Sequence, residues 1–402
     1  MDHFAVIQSI IRAGLAGDRD ELRKQIQRLR DRLEKDGRSR EIATLDRLLA
    51  AAEEPRDMTA TRVSVSRAQI TGERLTAEVS PPFDRETGAT LCSIDLAPGA
   101  KAPVLGQTVS ATIEGLLQEW SKADAMRAVG VEPTHTLLIF GAPGSGKTLT
   151  ANYVAQRLGL PLVTARIDGL ISSFLGTTAR NIANLFDFAN RYACVLLLDE
   201  FDALAKLRDD PHEIGEIKRV VNTLLQNLDL RCNRGITIAV TNHDRLLDPA
   251  VWRRFETQLH LGEPADDVRA TLIARFLEPL RPAEPTLRIF SYCLAGRSGA
   301  DLERTCYAVK RTLALGDSIR DEPPALFHAL SAVLARTPQE HHLPARLLAT
   351  DKEAFISLIA NDDDFRIKQV EIGEATGYGQ STVSDLKKSK RHLTLIEDKH
   401  AQ

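Results

Sequence analysis

The chain has 402 residues, 43% apolar and 27% charged, the composition of a folded protein built from two to four domains. Its 52 Lys and Arg stand against 55 Asp and Glu, a net charge of −3, which excludes a protein drawn to nucleic acid or membrane by overall charge. Five scattered cysteines (Cys92, Cys194, Cys232, Cys293, Cys306) make no CxxC pair, so reduced thiols in a cytoplasmic protein are expected rather than a disulfide framework or a zinc site.

At the start of the chain, Asp2, His3, Arg12 and Asp18 make a poor signal peptide, and no apolar run reaches the ~20 residues of a membrane span. Ile7, Ile10, Ile11 and Leu15, then Leu22, Ile26 and Leu29, then Ile42, Leu45, Leu48 and Leu49 recur at helical spacing. They predict a helical domain over 1–54, with a solvated charged face or a docking surface. Residues 55–104 change character: Arg62 to Ser66 alternates, and Pro81-Pro82, Gly88 and Pro98-Gly99 interrupt. A small β segment and an extended linker both fit. From 105 to 262 β-type runs alternate with helical segments, the pattern of a parallel sheet flanked by helices. Residues 263–360 return to helix, and 361–402 form a distinct block.

The sharpest signal follows the apolar run Thr136 to Phe140: Gly141-Ala142-Pro143-Gly144-Ser145-Gly146-Lys147-Thr148, with Leu149 after it. A buried strand, a glycine turn and a helix start place backbone N–H groups around phosphate oxygens. Lys147 would reach the β- and γ-phosphates, and Thr148 would ligate Mg²⁺. A second apolar run, Val195 to Leu198, ends in Asp199-Glu200. Asp199 would hold the Mg²⁺ water shell and Glu200 would orient the attacking water. A third run, Ile236 to Val240, ends in Thr241-Asn242; the Asn242 amide would touch the γ-phosphate or the water, or serve as a turn former.

Carried by these motifs, the chain resembles the AAA family of ring ATPases over residues 105 to 312, in the form seen in katanin- and spastin-like members. The resemblance implies an α/β P-loop NTPase core with a small helical lid, ATP and Mg²⁺ as ligands, and a homo-oligomeric ring, a hexamer when active. Gly169 to Ala189 is similar to the family's first pore-loop segment, so Phe174, Leu175 and Gly176 would grip a threaded polypeptide, or Phe174 would pack under the following helix. Arg219 to Asp229 looks like the helix that lines the second pore loop. Asp248 to Glu256 is similar to the arginine-finger segment, so Arg253 and Arg254 would reach a neighbouring subunit's nucleotide, or pair with local acids. Gly296 to Leu302 resembles the lid signature and puts Gly299 and Ala300 beside the nucleotide. Ala142, Ser145 and Trp252 depart mildly from the family pattern, and none removes a needed group.

Lys368 to Leu386 resembles a helix-turn-helix, with Ile372, Ala375, Val383 and Leu386 spaced for its core and Gly377 at the turn. Gln380, Ser381 and Thr382 would contact bases, and Lys387 and Lys388 phosphates. A helical adaptor or ring-stabilising module is the alternative. The arrangement of N-terminal helices, one ATPase module and this block also looks like small bacterial AAA proteins, some encoded beside a subtilisin-like protease in phage-defence pairs. That likeness rests on Ile7 to Leu33. The expectation is an ATP hydrolase that remodels a protein partner; the rivals are an ATP-gated DNA-binding regulator and a nucleotide-gated defence sensor. The chain has no HExxH helix and no GxSxG elbow of its own.

Overall fold

The computed structural model of the chain describes residues 72–99, 101–170, 175–203, 214–231, 235–315, 322–337 and 342–389, with residues 24, 26, 28, 29 and 33 before them. Two compact units divide it, Met1–Thr61 and Arg62–Gln402. In the first, Lys24, Ile26, Arg28, Leu29 and Leu33 are helical; Leu33 is buried, Ile26 and Leu29 are half-buried, and Lys24 and Arg28 are exposed. That is the one-sided burial the spacing predicts. The other N-terminal helical expectations lie outside the described residues.

The second unit runs in chain order through β1 (Cys92–Asp95), α1 (Gln107–Ser121), α2 (Ala123–Ala128), β2 (Thr136–Phe140), α3 (Lys147–Leu158), β3 (Leu162–Ala165), α4 (Ile167–Leu170) and α5 (Leu175–Arg191). It continues with β4 (Val195–Leu198), α6 (Ile214–Arg231), β5 (Ile236–Thr241), α7 (Pro249–Trp252) and β6 (Thr257–His260). The strands form one sheet in the order β1-β3-β4-β5-β2-β6. All neighbours are parallel except β1, which runs antiparallel to β3 with Cys92 opposite Ala165.

Both faces of the sheet are covered, which is why its central strands read as unbroken apolar runs. Leu138, Leu196, Leu198 and Ala239 face Ile182, Phe186, Leu224 and Leu228 of α5 and α6. Their neighbours Leu137, Ile139, Leu197, Ile238 and Val240 face Ile113, Leu117 and Trp120 of α1 and Val154 and Leu158 of α3. Each fully buried Leu or Phe contributes ~1.5–3 kcal/mol. Residues 72–99 belong to this core. Leu75, Leu91 and Cys92 join its first cluster, Glu73 bridges Tyr192 and Phe83 bridges Thr90. The turn between the last two is closed by Glu86 N and Thr87 Oγ1, both donating to Asp84.

After the sheet come α8 (Asp266–Leu277), α9 (Glu284–Cys293), α10 (Gly299–Ala314), α11 (Pro323–Arg336), α12 (Leu343–Thr350), α13 (Lys352–Asn361), α14 (Gln369–Thr376) and α15 (Gln380–Ser389). One core unites them: Leu277, Phe290, Leu302, Leu330 and Phe355 share it with Ile372, Ala375 and Val383. α14 and α15 pack as the helix-turn-helix spacing predicts, with Gly377 at φ +80° ending α14. They share one core with α8 to α13 instead of enclosing one of their own. Among the described residues no helix is long and apolar enough to cross a membrane.

Candidate functional site

The site grows from the end of β2. Gly141 has φ +143°, and a Cβ there would collide with the Leu261 carbonyl of the next segment. Gly144 has φ +76°, and its Cβ would lie 2.7 Å from Ala300 Cβ and 2.9 Å from Ser298 Oγ. Both positions therefore need glycine. Gly146, at φ +92°, caps α3 without a side-chain hydrogen bond. The first N–H groups of α3 are left to an anion, at the positive end of the helix. Lys147 opens the helix and is buried. Its ammonium donates to Gly141 O (2.9 Å) and Ala142 O (2.8 Å). Burial lowers its pKa, against the pull of Asp199 and Asp202.

Facing it, β4 delivers the carboxylates. Thr148 Oγ1 donates to Asp199 Oδ2 at 3.0 Å, and Glu200 N donates to Asp199 Oδ1 at 2.9 Å. This hydroxyl and carboxylate fit Mg²⁺, a cation that keeps several waters and is otherwise held by phosphates. Among the described residues no three His, Cys, Asp or Glu side chains converge as a cage. Glu200 is exposed, with φ +51°, an uncommon conformation for a side-chain-bearing residue. Backbone bonds on either side hold it, Phe201 N to Val240 O (2.8 Å) and Ala203 N to Glu200 O (2.9 Å). Asn242 follows β5 one residue beyond its end, half-buried.

These groups line a cavity of about 690 Å³, the size of a small-ligand site. Pro143 to Leu149, Asp199, Glu200, Asn242, Gly299 and Ala300 all border it. Gly141 and Ala142 lie beneath, supplying carbonyls to Lys147. α10 touches the loop directly, through Ala300 N to Gly144 O at 3.0 Å. The cavity is also lined by Val104, Leu105, Leu272 and Phe276, and by the half-exposed Tyr307, none of which the sequence motifs mark. Leu272 and Phe276 are four residues apart on α8, and Ala300 and Tyr307 are seven apart on α10. That spacing places each pair on one helix face, the only signal available.

Arg253 and Arg254 stand outside this cavity. Arg253 is exposed, while Arg254 Nε lies 2.7 Å from Asp229 Oδ1 on α6. Leu175 and Gly176 open α5, and Phe174 lies outside the described residues. Gln380, Ser381, Thr382, Lys387 and Lys388 are exposed on α15.

The family described as "ATPase family associated with various cellular activities (AAA)" matches residues 137–263. Residues 137–263 are thus similar to an AAA-family ATPase domain. Over 195 residues it is 45% identical to the uncharacterized AAA family ATPase y4kL of Sinorhizobium fredii, covering 48% of this chain and 58% of that protein. It is 33% identical to cell division control protein 48 homolog C of Arabidopsis thaliana, covering 47% of this chain and 26% of that one. It is 31% identical to the proteasome-activating nucleotidase of Methanococcus maripaludis, covering 44% and 46%. The matched part thus spans between a quarter and three fifths of these relatives' lengths.

Proposed function

We propose that the chain hydrolyses ATP, works as a ring of identical subunits, a hexamer when active, and uses turnover to remodel a protein partner. One observation carries the ATPase reading. The anion cradle, the Thr148–Asp199 pair, Glu200 and Asn242 meet in one cavity whose lid bonds the cradle at Gly144. Mg²⁺, held by Thr148 and Asp199, would neutralise charge developing on the phosphates. Lys147 would exchange the Gly141 and Ala142 carbonyls for phosphate oxygens. Glu200 would polarise a water, taking its proton as it attacks, and Asn242 would orient that water against the phosphate.

The ring reading draws support from Arg253 and Arg254, which stand outside their own cavity. An arginine supplied by a neighbour in trans speeds phosphoryl transfer about 10³–10⁵-fold, and such head-to-tail contacts close into rings. The relatives named as a Cdc48 homolog and a proteasome-activating nucleotidase support a protein partner. A paired subtilisin-like protease rests on Ile7 to Leu33, of which five helical residues are described. For the C-terminal helices, the core they share with the lid favours an adaptor over a separate DNA-reading module.

The test is phosphate release from ATP with Mg²⁺. Wild type turns over, and Glu200→Gln loses about 10²–10⁴-fold while still binding ATP. Absence of wild-type turnover, or full activity in Glu200→Gln, would overturn the reading.

A further inference from the structure

Asp202 is buried and lies outside the cavity lining, three residues beyond Asp199, where the turn that carries Glu200 becomes helical. Its Oδ1 accepts from Thr241 Oγ1 at 3.2 Å and from Asn242 N at 3.4 Å. Its Oδ2 faces His243 Nε2 at 4.0 Å. The Thr241 hydroxyl also accepts from His243 N at 3.1 Å. One residue before Asp202, the Phe201 N–H is bonded to Val240 O and the Phe201 ring meets Phe255 edge-on at 5.9 Å. The loop after β4 and the end of β5 are therefore stitched residue by residue over 201–202 and 240–243. An apolar side chain at 202 would leave the Thr241 hydroxyl and the Asn242 N–H without that acceptor in a nearly dry place, where an unmade bond is costly. Glu200, in its left-handed conformation, keeps its place only if such neighbours hold it.

We propose that Asp202 is a positioning residue that locks the Glu200 loop to Asn242, so that the water-polarising carboxylate and the phosphate-facing amide move as one piece. The proposal rests on the ATPase reading above. It assigns Asp202 no contact with nucleotide or metal. Its role is geometric and lies in its acceptor oxygen, which predicts a loss in turnover without a loss in ATP affinity. A misplacement of about 1 Å in a catalytic group can cost roughly 10²-fold in rate.

The experiment uses the full chain, with kcat and KM for ATP and the affinity for a fluorescent ATP analogue. In Asp202→Ala, kcat is expected to fall about tenfold to a hundredfold while KM and affinity stay within about threefold. Asp202→Asn still offers Oδ1 to Thr241 and Asn242 and restores kcat to within about threefold of wild type. Thr241→Val removes one donor and should give an intermediate kcat; it decides the matter if Asp202→Ala does not fold. Wild-type kcat in Asp202→Ala or, failing that variant, in Thr241→Val would overturn the proposal. So would a parallel loss of affinity, or an Asp202→Asn as impaired as Asp202→Ala. A wild type that does not turn over removes the ATPase reading and this proposal with it, and is recognised by that control.

Discussion

Gly144 sits where a side chain has neither room nor a comfortable backbone: φ is +76°, and Ala300 and Ser298 of the lid stand where a Cβ would go. Gly144→Ala should therefore push the lid from the loop and strain the cradle, at ~1–3 kcal/mol. We expect the affinity for an ATP analogue to fall about tenfold to a hundredfold, read by fluorescence titration. Unchanged affinity would show that the contact between Gly144 and Ala300 has no part in binding. At this scale much of the site was legible in the sequence, because Lys147, Thr148, Asp199, Glu200 and Asn242 each follow an apolar strand whose end fixes their place. Asp202 was not. Its partners Thr241 and Asn242 are about forty residues away, and a third acid just after Asp199-Glu200 reads as an ordinary helix start. Phe276 and Tyr307 were missed because their helical spacing is that of any core residue.

Among the elements, β2 joins two environments. Its far end carries the phosphate loop, while His135 precedes its near end, buried with its N–H on Glu256 Oε1 (3.3 Å) and its carbonyl accepting from Thr237 N (2.9 Å). Burial lowers the imidazole pKa below its ordinary 6.5, outweighing the pull of Glu256 and Glu132. Above that value folded and unfolded chains are both neutral at this residue. As pH falls below it, the unfolded chain takes a proton that the folded chain resists, so stability is lost toward acid. In denaturant titrations from pH 7 to pH 5, His135→Gln should lose less stability than wild type. Parallel curves would contradict the assignment.

The strands β2, β4 and β5 were plain in the sequence as apolar runs. β1 was not, because Cys92–Asp95 is four residues long and becomes a strand only by pairing with β3 some seventy residues on. Residues 72–99 read equally as β segment or linker for that reason. The turn built on Asp84 is local, but the burial of Leu75 and Leu91 depends on α5 being in place.

At the scale of the whole molecule, the cavity gathers Lys147, Thr148, Asp199, Glu200 and Asn242 and leaves Arg253 and Arg254 outside. Arg254, beside Asp229, and the exposed Arg253 stand on the segment between β5 and β6. The C-terminal block was legible as two helices around Ile372, Ala375, Val383 and Leu386. That it shares its core with the lid was not, because Phe355 and Leu330 meet it only in three dimensions.

On the function proposed above, hydrolysis takes place in a cavity of one subunit completed by arginine from the next. Mixing Lys147→Ala with Arg254→Ala subunits measures it. Each variant alone should be nearly silent, since one lacks the phosphate lysine and the other the reaching arginine. The mixture should regain phosphate release, because an intact Arg254 then meets an intact Lys147 cavity across some interfaces, and the recovery should peak at intermediate ratios. No recovery at any ratio, with both variants shown to assemble together, would contradict a site shared between subunits.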